Sequence, residues 1–154
     1  MDMPKPQEQH RKLQALAGSW SGEETIHPSP WDPKGGPAKG RVEARMGLGG
    51  FFLITDYVEE RGGQVGYRGH GVFGYDAAEK CYTMHWFDSM GSPCPAPARG
   101  VWEGDRLTFQ QRSPMGHARY TYTLEGEGRY SFRIENSQDG ERWTPMMDGR
   151  YTRQ

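Results

Sequence analysis

The stretch QVGYRGHGVFGYDAAEKCYTMHWFD, residues 64–88, holds two runs of aromatic, β-branched and glycine residues separated by one short polar break, Asp76-Ala77-Ala78-Glu79. Runs of that composition read as strands, and so short a connector folds the second strand back antiparallel on the first. The unit recurs in both directions. Towards the N-terminus lie candidate strands at about 19–27, 39–47 and 51–61; towards the C-terminus, at about 98–103, 105–112, 117–125, 128–136 and 142–152. With 64–75 and 79–88 the tally is about ten. The links Arg61-Gly62-Gly63, Glu103-Gly104-Asp105 and Gly126-Glu127 are also hairpin-sized, and no connection has room for a crossover helix.

A meander of this kind must close or stack to hide its edges, and an up-and-down barrel is the natural closure. The expected fold is therefore all-β, a single antiparallel β-barrel over about 18–153 within one domain spanning 1–154. One short α-helix precedes it at about 7–17, QEQHRKLQALA, with Leu13, Leu16 and Ala17 on one stripe and Gly18 to end it; His10 on that helix is expected in solvent. A barrel of about eight to ten strands leaves space for side chains or one small ligand. The longer connectors, Pro28 to Ala38 and Met90 to Pro97, are rich in Pro, Gly and Ser and belong at the rims.

Composition agrees. Hydrophobic residues make up 34% of the 154, yet aromatics reach 12% and glycines number 22, which suits a twisted sheet with many turns and not a helical bundle. Lys plus Arg total 19 against 20 Asp plus Glu, a net charge of -1, which argues against nucleic acid or an anionic membrane as main partner. Cys81 and Cys94 form neither a disulfide framework nor a zinc knuckle and read as buried bystanders. The N-terminus lacks the apolar core of a signal peptide, and no run approaches the roughly 18 apolar residues of a membrane span, so a cytoplasmic protein is expected.

The Gly-x-Trp of LAGSWSGEE, residues 16–24, is the opening of the first strand in calycin barrels. Taken in order with HPSPWDPKGG (27–36), YRGHGVFGYD (67–76), HWFDSMG (85–91), SPMGHARYTY (113–122) and SQDGERWTPMMDGRYTR (137–153), it makes the chain resemble a bacterial family of small lipocalin-like proteins, domain-of-unknown-function family 1579. The resemblance runs from about Leu13 to Arg153 and implies that Trp20 plugs one end, with Arg150 or Arg153 stacked over the indole. A guanidinium so placed contributes roughly 0.5–2 kcal/mol. The family carries no established activity. A more distant resemblance is to nitrobindins, barrels that ligate haem through a histidine near the C-terminus. The comparable place here reads Met146-Met147-Asp148-Gly149-Arg150-Tyr151, without histidine, so haem is disfavoured and no cofactor is expected.

HWFDSMG also sets His85, Asp88 and Ser89 close in sequence, as a hydrolytic triad would need in space. In an extended strand Asp88 points away from His85, and Ser89 lies roughly 13 Å from it along the strand. The nucleophile elbow Gly-x-Ser-x-Gly is missing. Asp88, Ser89 and Gly91 read instead as a strand-ending turn. One of His85 and Trp86 must face inward.

His70 sits between two glycines, where a ligand or another backbone commonly approaches. A hairpin centred near Ala77-Ala78 sets His70 opposite about position 85, with Cβ atoms about 5 Å apart. One reading is a polar site inside the barrel, completed by Glu24 or Asp56. The other is a pair of imidazoles satisfied on the outer face. No His-x-His or His-Glu-x-x-His spacing supports a metal site.

Met84, Met90, Met115, Met146 and Met147 belong to segments that also hold most aromatics. A cavity lined by thioethers and by Phe73, Trp86, Tyr120 and Phe132 would accept a lipophilic ligand. The expected function is non-catalytic binding of a small apolar or amphipathic molecule, with Glu24, Asp56, His70, Phe73, Met84, His85, Trp86, Tyr120, Phe132 and Met147 as candidate contacts. The rival is a small barrel enzyme using His70 and His85 for acid–base chemistry. Aromatics on the sheet exterior would also allow a homodimer.

Overall fold

Period-two alternation is plain along the strands. In Gly36–Gly47, Ala38, Gly40, Val42 and Ala44 are buried while Lys39, Arg41, Glu43 and Arg45 are exposed. A strand with one apolar face has to curl that face away from water, and ten of them in succession do so by closing. In the computed structural model, which describes residues 1–93 and 96–154, the strands are β1 (Gly18–Ile26), β2 (Gly36–Gly47), β3 (Phe52–Arg61), β4 (Gln64–Asp76) and β5 (Cys81–Asp88). They continue as β6 (Ala98–Glu103), β7 (Arg106–Ser113), β8 (Gly116–Leu124), β9 (Arg129–Ser137) and β10 (Thr144–Arg153). Each strand pairs antiparallel with its sequence neighbours, and the β1–β10 seam shuts the barrel.

The starts of the odd-numbered strands share one end, the floor, and their far ends surround the mouth. The N-terminal segment covers the floor. Its helix is shorter than the expected 7–17: α1 spans Glu8–Lys12 and tightens into a 3-10 turn over Leu13–Leu16, which turns Leu13 and Leu16 onto the barrel. His10 is buried, not solvated, edge-on to Phe51 and Tyr75, with Nδ1 accepting from the Gln7 N–H at 2.9 Å.

Trp20, 2% exposed, is the stopper. Its Nε1 donates to the Leu16 carbonyl at 3.0 Å, and its ring meets Tyr130 edge-on at 4.7 Å. Of the two candidate arginines it is Arg153 that caps it, 4.5 Å above the ring, while also donating to the Ala17 carbonyl at 3.1 Å. Arg150 points outward from the opposite face of β10.

One register differs from expectation. The Asp76 carboxylate accepts from the backbone N–H groups of Ala78 (3.0 Å) and Glu79 (3.1 Å), and Lys80 takes a positive φ of 54°. This Asx turn holds four residues between Asp76 and Cys81, so β5 begins at Cys81, and pairing slips by two. His70 faces Phe87 and His85 faces Val72, so the two imidazoles are not cross-strand partners. Cys81 is half-buried and accepts from Arg99 Nη1 at 3.3 Å; Cys94 lies outside the described residues. No helix among the described residues is long and apolar enough to cross a membrane.

Candidate functional site

Strands β1 and β2 turn small side chains inward, with Gly22, Gly40, Ala38 and Ala44, while β4, β5, β8 and β9 turn large ones inward. The side chains do not fill the interior, and a cavity of about 470 Å³ remains. Its deep wall is Leu16, Val42, Ala44, Leu53, Phe73 and Met84. Tyr57, Trp86, Tyr120, Tyr122, Phe132 and Met147 form its waist, and Glu59, Tyr67, Asp88, Ser92, Pro93 and Gln111 lie towards the mouth.

Trp86 owes its position to two glycines on the neighbouring strand. A Cβ at Gly69 would stand 2.7 Å from its Cη2 and closer still to Cζ2, and one at Gly71 would stand 2.9 Å from Cε3. The indole therefore lies across the bare backbone of β4 with one face, leaving the other towards the cavity. Its Nε1 donates to Tyr67 Oη at 2.9 Å, and Tyr67 donates in turn to Asp88 Oδ2 at 2.8 Å. The Tyr57 ring is 5.9 Å from Tyr67 and 6.3 Å from Trp86.

Beside this wall is a buried acid. Glu24, 3% exposed, receives the hydroxyls of Tyr151 and Tyr57, the latter 2.7 Å from Oε2. Space for it comes from Gly40, where a Cβ would stand 2.9 Å from the Glu24 Cδ. Tyr57 Oη also lies 2.8 Å from Glu59 Oε2. One phenolic proton cannot serve two carboxylates, so the second bond needs a protonated carboxyl. Glu24 is the group suited to hold that proton. Burial pushes it up to about 7, against the opposing pull of the Tyr151 and Tyr57 hydroxyls. Thr55, in the cavity wall two residues before Tyr57, has a buried hydroxyl without a partner among the described residues.

Of the residues singled out from sequence, Phe73, Met84, Trp86, Tyr120, Phe132 and Met147 line the cavity, and Glu24 stands behind its wall. Asp56, His70 and His85 do not belong to it. The His70 Nδ1 and Asp56 Oδ1 pair at 2.8 Å on the outer surface, and His85 is exposed on the outer face of β5. Acid–base chemistry by these histidines inside the barrel therefore has no geometry. Met90 and Met115 are exposed. Asp88 has two roles: its Oδ1 accepts from the Met90 N–H in the expected turn, at 3.0 Å, while Oδ2 faces Tyr67.

Tyr57, Glu59, Tyr67, Gln111, Tyr122 and Tyr151 were not singled out from sequence. The signal for several of them is parity: stepping back by twos from Phe73 reaches Gly71, Gly69 and Tyr67 on one face. None of the five histidines lines the cavity, and its only thioethers among the described residues are Met84 and Met147, a donor set that does not suit a haem iron. No group of three His, Cys, Asp or Glu among the described residues is arranged to hold a metal ion.

A family model described as "Protein of unknown function (DUF1579)" matches residues 5–153. Among solved structures, the fold is similar to that of Rv2717c from M. tuberculosis, with a TM-score of 0.70 and 14% identity over 96% of this chain and 98% of that one. It is also similar to the S-type phycobiliprotein lyase CPES from Guillardia theta, with a TM-score of 0.64 and 8% identity over 96% and 93% of the two chains. At these identities the likeness is one of fold. No curated protein matches the sequence.

Proposed function

The chain belongs to DUF1579, a family of proteins of unknown function, and from that premise we propose that it is a non-catalytic carrier holding one small amphipathic molecule inside its barrel. The observation behind this reading is the cavity of about 470 Å³, sealed at the floor by Trp20 and polar towards the mouth. Its size falls in the range of small-molecule sites, roughly 300–1,000 Å³. A fold neighbour named as a phycobiliprotein lyase supports a barrel that holds another molecule, and not the absence of catalysis. Against catalysis stand the outward histidines and carboxyl groups already engaged by tyrosine hydroxyls.

Apolar burial sets the scale of affinity. A ligand hiding on the order of 200–300 Å² of apolar surface gains about 5–7 kcal/mol, much of which association entropy offsets. Tight binding therefore depends on the polar groups near the mouth. The test is calorimetric titration of 1-octanol into the wild-type protein and into Ala44→Trp, which fills the deep wall. Saturable one-to-one binding that Ala44→Trp abolishes, with its melting temperature kept, supports the carrier. Absent binding, or binding indifferent to Ala44→Trp, overturns it.

A further inference from the structure

We infer that the cavity selects a ligand with a positively charged nitrogen, an alkyl or aryl ammonium, seated between Tyr57, Tyr67 and Trp86 with Glu59 and Asp88 as counter-charges. The inference rests on the carrier reading and names the chemistry of its ligand. It begins with the sign of the lining. Two carboxylate residues, Glu59 and Asp88, line the cavity, and among the described residues no lysine, arginine or histidine does. An anionic head drawn into this low-dielectric space would meet like charges without a cation to offset them. A cationic head would meet the reverse.

The aromatic groups point the same way independently. Trp86 is pressed by one face onto Gly69 and Gly71 and lines the cavity with the rest of its indole, the Tyr57 ring tilted against it at 6.3 Å. Tyr57 and Tyr67 stand beside it, with ring centroids 5.9 Å apart. Their hydroxyls, with the indole N–H, already hold the carboxylates in place: Tyr67 on Asp88 at 2.8 Å, Tyr57 on Glu59 at 2.8 Å. Aromatic faces backed by fixed carboxylates are the arrangement that recognises ammonium groups, since the ring quadrupole attracts a cation most when water is excluded. Thr55, 7% exposed in the same wall, adds a hydroxyl unpartnered among the described residues and able to meet a further polar atom of the ligand.

The apolar tail would then run past Phe132 and Met84 to the deep wall at Val42 and Leu53, which holds no charge. Specificity here is a difference between heads at constant tail, and repulsion contributes to it as much as attraction.

The experiment uses three probes of equal chain length below their micelle concentrations: octyltrimethylammonium, 1-octanol and octyl sulfate, each titrated calorimetrically into the full chain. The expected order is ammonium tightest and sulfate weakest, with roughly tenfold or more between the two charged probes. Glu59→Gln combined with Asp88→Asn is expected to reduce the difference between the two charged probes to about threefold or less. Sulfate binding as tightly as ammonium, or an ammonium preference that survives the double substitution in a folded variant, overturns the inference and leaves the carrier standing. If none of the three probes binds, both readings fall. The wild-type comparison decides even where the double variant does not fold.

Discussion

Trp86 occupies the volume that any side chain at Gly69 would require, the indole lying against backbone with its Cη2 2.7 Å from where a Cβ would stand. Gly69→Ala must push the ring into the cavity or bend β4. The expected cost is about 1–3 kcal/mol of stability, the usual range for overpacking, together with a change in indole emission. Gly66→Ala on the same strand, where a Cβ meets nothing within 4 Å, is the control and is expected to change stability by less than about 0.5 kcal/mol. Denaturant melts of both variants check the difference.

Glu24 gives the protein a pH dependence opposite to that of most carboxylates. Its native value is raised to about 7 from the ordinary 4.5, so between those limits the folded state binds more protons than the unfolded chain. Stability therefore declines as pH rises through that window and levels off above it. The loss is about 3 kcal/mol. Glu24→Gln keeps an acceptor for the Tyr151 hydroxyl and a donor for the Tyr57 oxygen but cannot ionise, and is expected to flatten the slope and to be the more stable form at pH 8. Asp32, Asp76 and Asp139, held below the usual carboxylate range by hydrogen bonds, act only at lower pH. Chemical denaturation at several pH values between 4.5 and 8 is the measurement, and equal slopes in the two proteins would refute the assignment.

Closure of the floor can be apportioned with a double-mutant cycle. Arg153 stacks on Trp20 and also bonds the backbone at Ala17, so Arg153→Ala is expected to cost about 1–2 kcal/mol. A coupling with Trp20→Phe of about 0.5–1 kcal/mol would isolate the ring contact, since indole outranks phenyl as a cation acceptor. Arg150→Ala, outside the contact, is expected to stay within about 0.5 kcal/mol of wild type. Comparable effects at both arginines would show that the stack is incidental.

The barrel was legible because its signals are redundant: ten alternating runs, hairpin-sized links, and a Gly-x-Trp that sets Trp20, Gly22 and Glu24 on one face. The pairing of His70 with His85 was misread because register depends on one side chain, Asp76, whose Asx turn keeps Ala77 to Lys80 out of the ladder. The glycines around His70 did mark a close approach. The group approaching is Trp86, which sits on the opposite face from His70, and composition does not tell which face a glycine serves. Tyr57 lies in no motif, and Tyr67 opens YRGHGVFGYD without a chemical signature of its own. They become visible only once strand parity is counted from a buried neighbour such as Phe73, and their link to Glu59 and Asp88 depends on a three-dimensional path no spacing encodes.

His70 and His85 supply the converse test of the site. Both lie on the outer face, His70 paired with Asp56 at a solvent-exposed position. Exposed pairs contribute roughly 0–1 kcal/mol. The double substitution His70→Gln with His85→Gln is expected to leave the melting temperature within about 3 °C and octanol affinity within about twofold. A large loss of affinity would mean that these imidazoles reach the ligand after all, and calorimetry on the purified variant reads it directly.

Thr55 separates a packing role from a binding one. Its hydroxyl is buried without a partner among the described residues, and a buried unpaired hydroxyl costs about 1–3 kcal/mol relative to an apolar group of the same shape. Thr55→Val removes the hydroxyl and keeps the β-branched shape that β3 packs around. The free protein is therefore expected to gain about 1 kcal/mol, a rise of roughly 2–4 °C in melting temperature by calorimetry. Affinity for octyltrimethylammonium is expected to hold, because its head bonds to rings and carboxylates and its tail asks nothing of a hydroxyl. A fall in melting temperature would instead mean that the hydroxyl is paired in solution, and the unpaired-donor account of this wall would fail.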